Sequence, residues 1–169
     1  MKVAIIMGSD SDWPVLEPAA AQLKEFDIET ELLVASAHRT PDKVHKFVAG
    51  AKDRGVQVII AAAGAAAHLP GVIASFTTLP VIGIPVNATP LGGMDALLSI
   101  VQMPAGIPVA TMAINGAKNS ALFAAQILAV HNEALAAKLT THREQMAAEV
   151  EKKDARLAEK LAARDYSLL

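Results

Sequence analysis

The chain has 169 residues, 53% of them hydrophobic, 19% charged and 4% aromatic, with a formal net charge of −2. That length fits one domain with a substantial core, and the slightly acidic balance excludes the basic footprint of a nucleic-acid binder. There is no cysteine, which excludes disulfides, thiolate metal ligands and a thiol nucleophile.

Lys2–Met7 is a short apolar run ending at Gly8 and reads as a buried parallel strand. The loop Gly8-Ser9-Asp10-Ser11-Asp12 follows, then a helix carrying Val15, Leu16, Ala19, Ala20 and Leu23 at helical spacing. Its start has competing signals: Ser11 is a good N-cap, while Pro14 disfavours helical geometry at Trp13. A second strand covers residues 28–35, and its run Glu31-Leu32-Leu33-Val34-Ala35 reads as buried. It leads into Ser36-Ala37-His38-Arg39-Thr40-Pro41, with Thr40 as the expected N-cap and Pro41 at the first helical position. The helix over residues 41–53 sets Val44, Phe47, Val48 and Ala51 on one face, and Gly55 closes it.

Residues 56–62 form the third strand, which empties into a small-residue loop over 63–71 with one imidazole, His68. A short helix over 72–76, a strand over 80–86, a helix over 91–101 and a strand over 107–113 follow. Gly116 and Asn119 precede an Ala-rich helix reaching about residue 130. Strand–helix alternation through five units predicts an α/β fold, a doubly wound parallel sheet with right-handed crossovers. Every β–α loop then lies on one edge of the sheet, where ligands bind in open α/β sheets.

From Asn132 the composition changes: fourteen of the 32 charged residues fall between Glu133 and Asp165. Leu135, Leu139, Met146, Val150, Leu157, Leu161 and Leu168 are spaced 4, 7, 4, 7, 4, 7, with His142, Lys153 and Arg164 at the intermediate positions. An eleven-residue repeat, about 3.67 residues per turn, keeps a stripe on one side of a nearly straight helix. The expected division is an α/β catalytic domain over 1–131 and a helical arm over 132–169. The stripe is expected to pack on a neighbouring subunit, the alternative being its own domain. Mean hydropathy is +0.36, yet no apolar run reaches the roughly 18 residues that span a bilayer. An assembly that buries much surface accounts for this better than a membrane does. The amino end has no secretory pattern, so the cytoplasm is the expected compartment.

Three loops carry the candidate chemistry. Gly8 to Asp12 can offer backbone N–H groups and hydroxyls at a helix N-terminus. Two aspartates there would repel a phosphate, so the division of labour puts Ser9 on phosphate and Asp12 on sugar hydroxyls; plain helix capping is the alternative. His38 can exchange a proton near neutral pH, and Arg39 offers a planar fork suited to phosphate or carboxylate. The alternative there is a solvated turn. Gly64 to His68 lets a ligand approach backbone closely, although His68 also fits a core histidine satisfied by backbone. His45, His131 and His142 read as surface or interface residues on helices. No His/Asp/Glu spacing resembles a metal site, and neither Ser9 nor Ser36 sits in a GxSxG elbow.

Together these runs resemble the class I N5-carboxyaminoimidazole ribonucleotide mutase family of bacterial purine biosynthesis. The likeness covers about residues 3–130 and rests on Met7-Gly8-Ser9-Asp10-Ser11-Asp12-Trp13, Ser36-Ala37-His38-Arg39-Thr40-Pro41-Asp42, Ala66-Ala67-His68-Leu69-Pro70-Gly71 and Ser99-Ile100-Val101-Gln102-Met103-Pro104. It implies a three-layer flavodoxin-like fold, here with a long C-terminal helix, and a homo-octamer with sites near subunit contacts. It implies His38 as the catalytic residue and a ribonucleotide substrate held by Ser9, Asp12 and Arg39, with Ser36 near the phosphate. Gly8, Gly64, Ala65, His68 and Leu69 would complete the substrate site, and no ATP, metal or redox cofactor is implied. Two departures stand out: Gly64-Ala65 replaces two adjacent glycines, and Ala62 replaces a common glycine. An added methyl shifts that loop or narrows the pocket. The charged tail beyond about Glu149 lacks a family counterpart. In the implied chemistry a carboxyl group leaves an exocyclic nitrogen as CO2, is trapped, and re-adds at a ring carbon, with His38 as acid and then base. The rival readings are a carboxylase using free CO2, a flavin-binding module, for which one Trp and one Tyr are few, and a phospho-receiver, which lacks an aspartate at the third strand's end.

Overall fold

In the computed structural model, which describes residues 1–162, five parallel strands form one sheet. They are β1 (Lys2–Met7), β2 (Glu29–Val34), β3 (Val56–Gly64), β4 (Val81–Val86) and β5 (Ala110–Thr111), in the order β2-β1-β3-β4-β5. The helices are α1 (Trp13–Glu25), α2 (Pro41–Ala49), α3 (Leu69–Ser75), α4 (Met94–Val101), α5 (Ala117–Ala129) and α6 (Glu133–Ala162). This is the flavodoxin-like order, whose direction reverses between β1 and β3. Loops after those two neighbouring strands depart to opposite faces and leave a crevice at the carboxyl edge.

The central strands are apolar runs because both faces of the sheet are covered. Ile6, Ile59 and Ala61 join Val44, Val48, Ile73 and Ile100 of α2, α3 and α4 in one core layer. The alternate strand residues Ile5 and Ile60 are equally buried, as are Leu16 and Leu23 of α1 and Ala121 and Ala125 of α5. The run 31–35, read as a buried strand, is instead half exposed: Leu32 is 48% and Val34 42% accessible. β2 is the edge strand, so one flank lacks a neighbour; Lys43 Nζ donates to the free Val34 carbonyl at 2.8 Å.

Several boundaries move for local reasons. α4 starts at Met94, not at residue 91, because Gly92 and Gly93 take left-handed φ of +65° and +83°. α2 stops at Ala49, before a succession of turns over 50–54, and Gly55 then reverses the chain at φ +81°. β5 shrinks to two residues, with Pro108 lacking an N–H just before it. Ser9, not Ser11, caps the start of the first helical region: its hydroxyl accepts from Ser11 N–H and the Asp12 carboxylate accepts from Ser9 N–H. That reciprocal cap closes one 3₁₀ turn, Asp10–Asp12, and α1 follows with Trp13 helical despite Pro14.

Met1–Leu128 is one compact unit, and a second begins at Ala129. In the second, His131 lies in the turn before α6 rather than on a helix, and the Asn132 carboxamide accepts from Leu135 N–H at 2.8 Å to cap α6. Met146, Val150, Leu157 and Leu161 are exposed along α6. Arg164, Asp165 and Leu168, named above for the charged stripe, lie outside the described residues. No helix among the described residues is long and apolar enough to cross a membrane.

Gly83 of β4 shows how tightly the layers close: a Cβ there would sit 2.5 Å from Ile100 Cγ2 and 2.9 Å from Val109 Cγ1. Gly83→Ala is therefore expected to cost about 1–3 kcal/mol of stability, by the usual penalty for overpacking. Urea unfolding checks this, and an unchanged midpoint would show that the α4–β4 contact yields freely.

Candidate active site

The three chemistry-bearing loops meet in one cavity of about 350 Å³ at the carboxyl edge. Gly8, Ser9 and Asp12 come from the loop after β1, Ser36, His38 and Arg39 from that after β2, and Gly64, Ala65, His68 and Leu69 from that after β3. All the candidate site residues thus line one hollow. Ser11, Ala37 and Ala88 also line it. Ala88 follows β4; the same edge rule applied to the fourth strand would have found it. A larger hollow, about 900 Å³, opens instead beside Thr77 to Ile82 and Gly106 to Pro108, at the amino ends of β4 and β5, with Lys52 its one titratable lining group. The two imidazoles, the guanidinium and the Asp12 carboxylate line the smaller cavity instead.

Backbone hydrogen bonds preset the His/Arg loop. Thr40 does not cap α2 with its side chain; its hydroxyl accepts from Ser36 N–H at 2.9 Å and donates to Ser36 C=O at 3.1 Å. Arg39 N–H donates to Ser36 Oγ at 3.2 Å, so the loop closes on itself around Ser36. Arg39 Nη2 reaches across to the Gly8 carbonyl at 3.1 Å, tying the loop after β2 to the loop after β1. Ser9 Oγ is held by its own loop, accepting from Ser11 Oγ at 2.8 Å.

The loop after β3 brings the second imidazole to the first. The ring centroids of His38 and His68 are 3.7 Å apart, tilted by 45°. His38 is exposed and His68 half-buried, so His68 is not a sealed core histidine. Gly64 is required here: a Cβ would lie 2.6 Å from Ala88 Cβ. Ala65 takes φ +52°, a left-handed conformation costly for alanine, and then Ala67 N–H and His68 N–H each bond a carbonyl two residues back. Of the two glycine replacements, Ala65 lines the cavity, whereas Ala62 is buried within β3 beside Met7 and Ile84.

Asp12 is the buried charge of the site. Burial raises its carboxyl above the usual range, the hydrogen bond from Ser9 N–H offsets part of this, and repulsion from Asp10 adds to the rise. No cluster of three or more metal-ligating side chains exists among the described residues.

Fold and site together define a doubly wound α/β protein that gathers two imidazoles, a guanidinium, a carboxylate and serine hydroxyls at its topological switch point. Residues 2–149 match the AIR carboxylase family model, and the chain belongs to that family. It is 52% identical over 165 residues to the N5-carboxyaminoimidazole ribonucleotide mutase of Thermotoga maritima, covering 98% of this chain and 96% of that one. It is 54% identical over 156 residues to the protein of that name from Mycobacterium tuberculosis, covering 92% and 90%. The crystal structure of Treponema denticola PurE superposes with a TM-score of 0.82 at 30% identity, over 92% of this chain and 98% of that one.

Two stability measurements test the geometry. Ala65→Gly removes the left-handed strain and is expected to stabilise the protein by up to about 1 kcal/mol; a lower urea midpoint would mean the alanine is not strained. Asp12 holds its proton in the folded chain at pH values where the unfolded chain has lost it. Its contribution is therefore least unfavourable at low pH and worsens as pH rises from the ordinary carboxylate range through the raised value. Asp12→Asn removes that burden, and its thermal stability relative to wild type is expected to improve as pH rises from about 4 to 7. A difference that stays flat across that range would contradict the assignment.

Proposed function

We propose that this chain converts N5-carboxyaminoimidazole ribonucleotide to 4-carboxy-5-aminoimidazole ribonucleotide, an isomerase step of purine biosynthesis. The relatives that carry this name match it over nearly its whole length. The observation that carries the mechanism is the His38 imidazole beside Asp12, Ser9 and Arg39 in one hollow.

Arg39 and Ser9 hold the phosphate, with Ser36 beside them, and Asp12 accepts from ribose hydroxyls. Gly8, Gly64, Ala65, His68 and Leu69 wall the hollow around the ring. Binding energy spent on phosphate and ribose fixes the ring for a reaction elsewhere in the molecule. His38, as imidazolium, gives its proton to the exocyclic nitrogen as the N–C bond to the carboxyl breaks, releasing CO2 and the aminoimidazole. The methyl-lined loop with His68 keeps that CO2 against the ring and excludes water. The ring carbon then attacks CO2, forming the C–C bond, and neutral His38 removes the proton from that carbon. One proton leaves and one returns, so His38 is regenerated and nothing else is consumed.

The cytoplasm is its proposed compartment. The assembly proposed is a homo-octamer. Its support on this chain is apolar surface: Leu91, Met94, Leu98 and Val101, spaced 3, 4, 3 along and before α4, are 48–67% exposed. Leu98→Asp is expected to lower the solution mass measured by light scattering; an unchanged mass removes α4 from the interface.

A coupled assay on the carboxyaminoimidazole ribonucleotide, with and without bicarbonate, tests the reaction. Turnover independent of bicarbonate is expected, and turnover only from aminoimidazole ribonucleotide plus CO2 would replace this reading with a carboxylase. His38→Asn is expected to bind substrate and lose about 10²–10⁴-fold in kcat. Arg39→Ala is expected to raise KM by about one to two orders of magnitude, the worth of a charge-assisted hydrogen bond, with a smaller change in kcat. A His38→Asn enzyme of near-native rate removes that residue from the chemistry.

A further inference from the structure

The distal half of α6 is a surface whose use the catalytic site does not explain. Met146, Val150, Leu157 and Leu161 are 53%, 61%, 54% and 45% exposed. Their spacings of 4, 7 and 4 hold them on one stripe of the helix. Four large apolar side chains aligned on an exposed helix call for a partner.

We propose that this partner is the same stripe of a second copy, paired parallel and in register. The matching of levels argues for a copy: a second stripe with the same eleven-residue repeat meets apolar with apolar at every step, Met146 on Met146 and Leu161 on Leu161. The spacing alone also allows an antiparallel pair, since 4, 7, 4 reads the same in both directions. Charge decides between them. At about 100° per residue, Lys153 and Asp154 fall at one height on opposite margins of the stripe. Glu151 shares the Asp154 margin, and Arg156 and Lys160 share the Lys153 margin. In a parallel pair, opposite margins meet, so each Lys153 lies beside the other copy's Asp154. In an antiparallel pair centred on the stripe, like margins meet, setting Lys153 against Lys153 and Asp154 against Asp154. Glu149 and Arg143 depart from this division, but in the parallel pair they face Ala147 and His142, not a like carboxylate or guanidinium. Margin charges set the orientation of paired helices in this way. The pair needs a two-fold axis along the helices, a closed symmetry that an assembly of identical subunits supplies. This inference is independent of the reaction proposed above.

The absence of cysteine makes the test direct. Met146→Cys and Leu161→Cys are made separately in the full chain and treated with a short bismaleimide. Each alone is expected to give a covalent dimer as the main product, while Ala148→Cys, on the opposite side of the helix, gives little. Crosslinking only when the 146 and 161 variants are mixed would show an antiparallel pair and overturn the proposal. Equal crosslinking at 148, or none at 146 and 161, would show that the stripe is covered by something else. Circular dichroism confirms that each variant keeps its helix. In the Leu161→Cys background, Lys153→Asp is expected to cut the yield by about tenfold, from attraction turned to repulsion at two places, and adding Asp154→Lys to restore it. No loss, or no restoration, would remove the charge argument and with it the parallel register.

Discussion

The site depends on one topological constraint: β1 and β3 are neighbours in the sheet, yet their outgoing chains leave toward opposite faces. The described residues leave a hollow above that junction. The loop after β1 supplies a buried carboxylate and capping hydroxyls, and the loop after β3 supplies methyl walls and an imidazole. β2, alongside β1 at the sheet's edge, delivers His38 and Arg39 from the side. Burial of β1 and β3 on both faces fixes these strands, so the two loop origins they carry are rigid even where the loops are exposed.

Local rules are broken in this region and kept in most of the core. Ala65 holds a left-handed conformation, and Asp12 carries a carboxylate into a place that disfavours its charge. Both cost stability, and both face the same cavity. Gly64 shows the opposite pressure, since Ala88 packs so closely that no side chain fits. Strain and burial concentrated at a hollow are what a preorganised site requires, because groups relaxed to their own optimum would have to move before reacting.

Much of this was legible in the chain. Apolar runs ending at Gly8, Ser36 and Gly64 place a Ser/Asp loop, a His/Arg loop and a small-residue loop with one imidazole on one edge. Distances between loops were not legible, because the 3.7 Å approach of two imidazoles depends on the turn set by Ala65, a residue with no intrinsic preference for it. Thr40 misled for a related reason: a threonine before proline signals an N-cap, but its hydroxyl found both partners on Ser36. The apparent burial of residues 31–35 failed because hydrophobicity does not reveal which strand lies at an edge.

The hydrogen bonds of the open site bear on how tightly it can hold an anion. Arg39 already donates to Gly8 C=O, and Ser9 Oγ and Ser36 Oγ already accept within their loops. The guanidinium has five N–H donors and Nη2 alone is held by Gly8 C=O, so an incoming anion can be met by the others while that bond keeps the group in place. The two serine hydroxyls differ from each other: Ser9 Oγ already donates to Asp10 Oδ1 at 3.2 Å. Ser36 accepts one bond from Arg39 N–H and its hydroxyl proton remains available, so a phosphate oxygen can be bound without dismantling the loop. These bonds hold the donors in place, which lowers the ordering entropy that binding would otherwise cost. In the proposed reaction that ordering at the phosphate serves the opposite end of the ligand, where an imidazole would meet the bonds that change.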